Sequence, residues 1–143
     1  MLAALLAAAL LAPATAPLDI RADRLELDRK AGTARFTGAV EVAQGRLTLR
    51  CGALVATYAD GEVATLVAEG GVEVRGEDWV ARAAEARYDR REGRLVLTGE
   101  PRIERGADVL RGERVSIWPE DERLVVEQAR GRVQAPPIGV PSP

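Results

Sequence analysis

Histidine is absent from the 143 residues, which removes the commonest general base and a frequent metal ligand. Serine occurs only at Ser116 and Ser142, and Cys51 is the sole cysteine, so neither a hydrolase triad nor a Cys–His pair can be assembled. A lone cysteine also excludes an internal disulfide, and Cys51 lies too far along the chain to be a lipid-attachment residue after a leader; it reads as a half-buried strand residue. Aromatic residues number five (Phe36, Tyr58, Trp79, Tyr88 and Trp118), too few for the stacking surfaces of a sugar-cleaving groove. Carboxylates such as Asp23, Glu26, Asp28 and Glu41 alternate with apolar residues as outward positions do, so no acid–base pair stands out. The chain therefore reads as a non-enzyme that needs no cofactor or metal. Charge of one sign is missing too: 20 basic residues face 22 acidic ones, without a nucleic-acid footprint. The apolar interior must come mainly from Ala, Val and Leu.

The amino end differs from the rest. Met1 to Leu11 is an unbroken Met/Leu/Ala run, shorter than the roughly 18–20 residues that span a bilayer. With the small residues that follow, it reads as a secretory signal over 1–14, cleaved after Ala14 or, alternatively, Ala16, although its start carries no Lys or Arg. Export follows from that reading. The opposite end, 134–143, is rich in proline and is expected to be an extended tail.

From Leu18 onward apolar residues alternate with period two, as in Arg24-Leu25-Glu26-Leu27-Asp28 and Arg46-Leu47-Thr48-Leu49-Arg50, and no sustained helical period appears. Arg21, Arg50, Arg82 and Arg111 recur at steps of 29, 32 and 29 residues. Four places after them come Leu25, Leu54, Ala86 and Val115; six places after come Leu27, Ala56, Tyr88 and Ile117. A second anchor, Gly38, Gly70, Gly99 and Gly131, has Phe36, Ala68, Leu97 and Ala129 two places before it and Val40, Val72, Pro101 and Val133 two places after. This predicts four β units of about 30 residues within a single domain over 18–133. The apolar parity switches between Leu49 and Leu54, between Ala81 and Ala86, and between Leu110 and Val115. A shift of parity turns a face over unless a bulge restores it, so each switch predicts a bend that carries a strand from one sheet to a facing one. Gly52 and Gly112 ease two of these bends, and Ala83 stands at the third. Pro101 predicts a break in the ladder, and the mismatch of Leu124 and Val126 with Ala129 predicts a bulge or a frayed last strand.

The inward set is Leu25, Leu27, Phe36, Val40, Val42, Leu47, Leu49, Leu54, Tyr58, Val72, Val74, Tyr88, Leu95, Leu97, Ile103, Val115 and Ile117. By themselves these residues fit either an ordinary sandwich core or an apolar groove. Outward Arg and Glu read as a solvated face with weak ion pairs.

The phrases Ile20-Arg21-Ala22-Asp23-Arg24-Leu25-Glu26-Leu27, Phe36-Thr37-Gly38-Ala39-Val40-Glu41-Val42, Ala84-Glu85-Ala86-Arg87-Tyr88 and Leu95-Val96-Leu97-Thr98-Gly99-Glu100-Pro101-Arg102-Ile103 resemble the OstA-type repeat. That family contains LptA, LptC and the N-terminal domain of LptD. The resemblance spans about residues 18–133 and implies a twisted antiparallel β-jellyroll, two facing sheets meeting along a V-shaped groove. It implies that the inward residues line the groove and hold the lipid A acyl chains of lipopolysaccharide. It also implies relay from inner to outer membrane, with LptC-like and LptD-like partners added at edge strands and head-to-tail self-association. An LptC-like inner-membrane component and a structural β-solenoid without ligand are the alternative readings.

Overall fold

The computed structural model describes residues 17–134, so the expected signal segment, 1–14, and nearly all of the expected tail, 134–143, lie outside the described residues. Twelve strands form one antiparallel sheet, and no helix occurs among the described residues. They are β1 (Asp19–Arg21), β2 (Arg24–Asp28), β3 (Thr33–Gln44), β4 (Leu47–Ala59), β5 (Glu62–Arg75), β6 (Val80–Asp89), β7 (Arg94–Thr98), β8 (Arg102–Arg105), β9 (Asp108–Arg111), β10 (Arg114–Trp118), β11 (Arg123–Glu127) and β12 (Arg130–Arg132). The sheet is not closed into a barrel: β1 and β2 end it on one side, β11 and β12 on the other. Every pairing is antiparallel, which is not the coil-on-coil stacking of a solenoid.

The two facing sheets are two wings of this one sheet. The first wing pairs β2 with residues 33–37, and continues through 53–59, 62–69, 85–89, β7, β10 and β11. The second runs from β1 through 40–44, 47–51, 72–75 and 80–83 to β8, β9 and β12. Strands β3 to β6 are long enough to belong to both. Where they cross, the register shifts, between Thr37 and Val40, between Arg50 and Ala53, and between Glu69 and Val72. The later strands break at the same line instead, at Pro101 and at Gly112, whose N–H donates to the Pro101 carbonyl at 3.3 Å. Proline has no N–H for a ladder, and Pro101 is fully buried at this break.

These crossings form a crease, and its chemistry alternates. At every second crossing two successive residues have positive φ: Gly38–Ala39, Gly70–Gly71 and Gly99–Glu100. The first glycines have φ of 81°, 80° and 81°, so the same bend is made three times. The strand beside each bend is close. A β-carbon on Gly38 would stand 2.5 Å from Asp23 Oδ2, and one on Gly99 would stand 2.5 Å from the β-carbon of Ala84. Glycine is thus required there by backbone angle and by space together.

The four equal units of the sequence are not reproduced. The fourth bend falls at Gln128 (φ 55°), not at Gly131. Gly131 sits inside β12, opposite Leu110, where a β-carbon would run into the backbone of Val109 and Leu110. The inward row is therefore continued by Val126, which joins Val115, and not by Ala129. The expected irregularity near Leu124–Ala129 takes the form of this break between β11 and β12.

Candidate functional site

Register turns the alternation into continuous apolar rows. In the first wing one inner row is Leu25–Phe36–Leu54–Ala68–Ala86–Leu97–Val115–Val126. Two residues on, Leu27–Ala34–Ala56–Leu66–Tyr88–Leu95–Ile117–Leu124 forms a second. The second wing answers with Ile20–Val42–Leu49–Val74–Ala81–Ile103–Leu110–Gly131. Nearer the crease Val40, Cys51 and Val72 close the angle between the wings.

Of the expected inward residues, Val40, Val42, Leu49, Leu54, Val72, Val74, Tyr88, Leu95, Leu97, Ile103, Val115 and Ile117 are buried in a single apolar cluster. Phe36 and Leu47 pack on it half-buried. Leu25, Leu27 and Tyr58 are on the same face but remain 51, 62 and 38 % exposed. The reason is position. Leu25 and Leu27 are on β2, which has no strand beyond it, and Tyr58 is next to last in β4, beside the Asp60–Gly61 turn. Ala34, Ala56, Leu66, Ala68, Ala81 and Ala86 belong to the cluster although the inward set omits them. Five of the six are alanines, a weak mark of an inward position, and Leu66 is a leucine that the alternation of β5 places on the same face.

Between the wings lies a cavity of about 40 Å³, lined by Leu18, Val42, Gln44, Leu47 and Leu49 from the second wing and by Leu54, Leu66, Ala68, Ala86, Tyr88 and Leu95 from the first. Gln44 and Tyr88 are the only lining residues whose side chains carry a polar atom. Small-molecule pockets usually measure about 300–1,000 Å³. The cleft is thus apolar and nearly shut, with alanines on one wall where larger side chains would fill it. Among the described residues no cluster of three or more His, Cys, Asp or Glu side chains is placed to hold a metal ion.

Cys51 is buried in this interior. Burial pushes its thiol up to about 11, against the weaker opposing pull of backbone hydrogen bonds at Ala53 and Glu69. Its thiolate fraction at pH 8 is therefore about a hundredfold lower folded than unfolded. A thiol-specific chromogenic disulfide should react at least a hundred times more slowly with native protein than with protein in denaturant; equal rates would contradict the burial. The sign for stability follows from the same shift. The folded state keeps this proton between pH 9 and 11 while the unfolded state loses it, so stability is intact below pH 9 and declines across that window.

The outer faces are charged. Arg50 pairs with Glu41 at 3.4 Å, Arg82 with Glu73 at 3.0 Å and Arg105 with Asp78 at 2.8 Å, all at least partly exposed. Such pairs contribute about 0–1 kcal/mol each. Trp118 also belongs to the outside, between Arg94 and Arg123, whose guanidinium carbons stand 5.9 and 4.6 Å from its ring centre. Trp79 packs against the apolar cluster at the β5–β6 turn, beside Gly76.

An open antiparallel sheet, folded along a glycine-rich crease over an apolar cleft, is a β-jellyroll of the kind found in lipopolysaccharide-transport proteins. A family model described as LptA/(LptD N-terminal domain) LPS transport protein matches residues 19–123, and the chain belongs to that family. Among solved structures it is similar to LptH, the LptA-homologous periplasmic component of the lipopolysaccharide transport device of Pseudomonas aeruginosa. The TM-score is 0.72 at 17 % identity, over 84 % of this chain and 96 % of that one, which speaks for a shared fold. No match was found among curated proteins.

Proposed function

We propose that this chain is a periplasmic carrier that holds the acyl chains of lipopolysaccharide between its wings and relays the lipid passively from the inner to the outer membrane. The observation that carries this reading is the pair of facing apolar rows, with alanines where bulk would close the cleft. Each acyl CH₂ removed from water gains about 0.8 kcal/mol, so several chains are held firmly without fixed chemistry. In the nearly closed cleft the wings must part to admit them, and the crease is the line about which they do so. The edges β1–β2 and β11–β12 leave unpaired backbone groups, which suit strand addition by LptC-like and LptD-like partners or by a second copy. Membership of the family and the apolar cleft both support this role.

A photocrosslinking amino acid at Phe36 or Leu47, which are half-buried at the cleft, should form lipopolysaccharide adducts in cells. The same probe at Glu26 or Arg87, on the outer face, should form none. Equal labelling at all four positions, or adducts at none, would sink the proposal. Sequencing the mature amino terminus decides between a cleaved leader and an LptC-like anchor.

A further inference from the structure

The outer face of the second wing carries one transverse row of charged residues, read across eight strands: Arg21, Glu41, Arg50, Glu73, Arg82, Arg102, Arg111 and Arg130. Its first half alternates in sign, as cross-strand neighbours should. Its second half is four arginines, each directly opposite the next. Like charges so placed destabilise a sheet. Glu73 and Glu104 neutralise Arg82, and Glu104 also reaches Arg102 at 2.8 Å. Arg111 and Arg130 make no ion pair among the described residues. Arg102 Nε is sealed from solvent and has no hydrogen-bond partner.

These three arginines line a notch of about 460 Å³ beside the crease, where β7 parts from β8 and β9 from β10. Glu100 and Glu113 line its crease side. We propose that the notch binds a phosphorylated sugar. Neighbouring strands are about 4.8 Å apart, so guanidinium groups from β8, β9 and β12 can converge on one phosphate and share its oxygens. A carboxylate ligand would be satisfied by a single arginine and would leave the others unpaired. The two glutamates disfavour a bare anion but accept hydrogen bonds from sugar hydroxyls. The site lies on the face opposite the apolar cleft, so it goes beyond the lipid-carrier role and does not depend on it.

The test uses the full chain labelled with ¹⁵N, observing arginine Nε–Hε signals. Glucose 1-phosphate should shift Arg102, Arg111 and Arg130 saturably, with inorganic phosphate at least tenfold weaker and glucose without effect. The pair Arg111→Gln/Arg130→Gln should weaken binding at least tenfold, whereas Arg21→Gln, at the other end of the row, should bind as the parent does. Because the pair removes like-charge repulsion, its melting midpoint should not fall; the single Arg130→Gln, on an exposed edge strand, repeats the measurement with less disturbance. Uniform, unsaturated shifts at all exposed arginines would show ionic screening and overturn the site. Equal affinity for phosphate and glucose 1-phosphate would overturn the sugar assignment. Displacement of glucose 1-phosphate by micelles of a phosphorylated glucosamine lipid, and not by its dephosphorylated form, identifies the source as a lipid headgroup; no displacement identifies a free sugar phosphate. Lipid crosslinking in the cleft is read separately, so failure here leaves that result standing.

Discussion

Gly99→Val is expected to lower the melting midpoint by roughly 15 °C, an effect out of scale with three added carbons on a strand end. Two costs combine. Gly99 has φ of 81°, a region that a β-branched residue occupies only with about 1–3 kcal/mol of strain. Its β-carbon would also stand 2.5 Å from that of Ala84, and overpacking of this kind costs about 1–3 kcal/mol. The total, about 4 kcal/mol, is a large part of the roughly 5–15 kcal/mol that holds a domain together. The two costs can be separated. Gly99→Ala combined with Ala84→Gly removes the clash and keeps the strain, so the double variant should recover about 1–2 kcal/mol relative to additive single effects. Thermal melts of the parent, Gly99→Val, the two single variants and the double variant decide the matter. A Gly99→Val midpoint within 2 °C of the parent would show that the crease is slack, and with it the account of how the wings are joined.

The crease also shows what the sequence can and cannot disclose. Alternation is a local property, so the strands and the inward set could be read from residue order. Parity shifts are local as well, and those between Leu49 and Leu54, Ala81 and Ala86, and Leu110 and Val115 all fall on the crease. Three steps lay beyond such a reading. By residue type Gly131 aligns with Gly38, Gly70 and Gly99, whereas the structural equivalence is one of backbone angle, and Gln128 takes that angle without a glycine to announce it. The exposure of Leu25 and Leu27 depends on β2 having no outer neighbour, a fact about the whole sheet. The arginine row depends on register among β6, β8, β9 and β12, strands separated by turns and by the β10–β11 hairpin. Along the chain those arginines look like ordinary members of an alternating charged face. The cleft occupies an intermediate place: its walls were legible as apolar positions, but its near closure follows from packing between wings.

Near closure makes the alanines of the first wing the most sensitive sites for function. Ala68 is 1 % exposed, is flanked by Leu54 and Ala86 in its row, and lines the cavity. Ala68→Leu adds three carbons where the cavity offers about 40 Å³, so it can be accommodated at a modest cost of about 1–2 kcal/mol. Those carbons then occupy space that an acyl chain would use. Exclusion of two to three methylenes, at about 0.8 kcal/mol each, amounts to about 2 kcal/mol and a loss of lipid affinity of about thirtyfold. Val67→Leu is the control, because Val67 is next in the chain but faces outward between Val55 and Arg87; it should change affinity less than twofold. Affinity is measured by displacement of a fluorescent fatty-acyl probe with lipopolysaccharide, and melting checks that each variant remains folded. Ala86→Leu, one strand away in the same row, should act in the same direction. If Ala68→Leu and Ala86→Leu are folded and bind within threefold of the parent, the acyl chains do not pass between the wings, and the carrier reading must give way to one in which the rows are only a core.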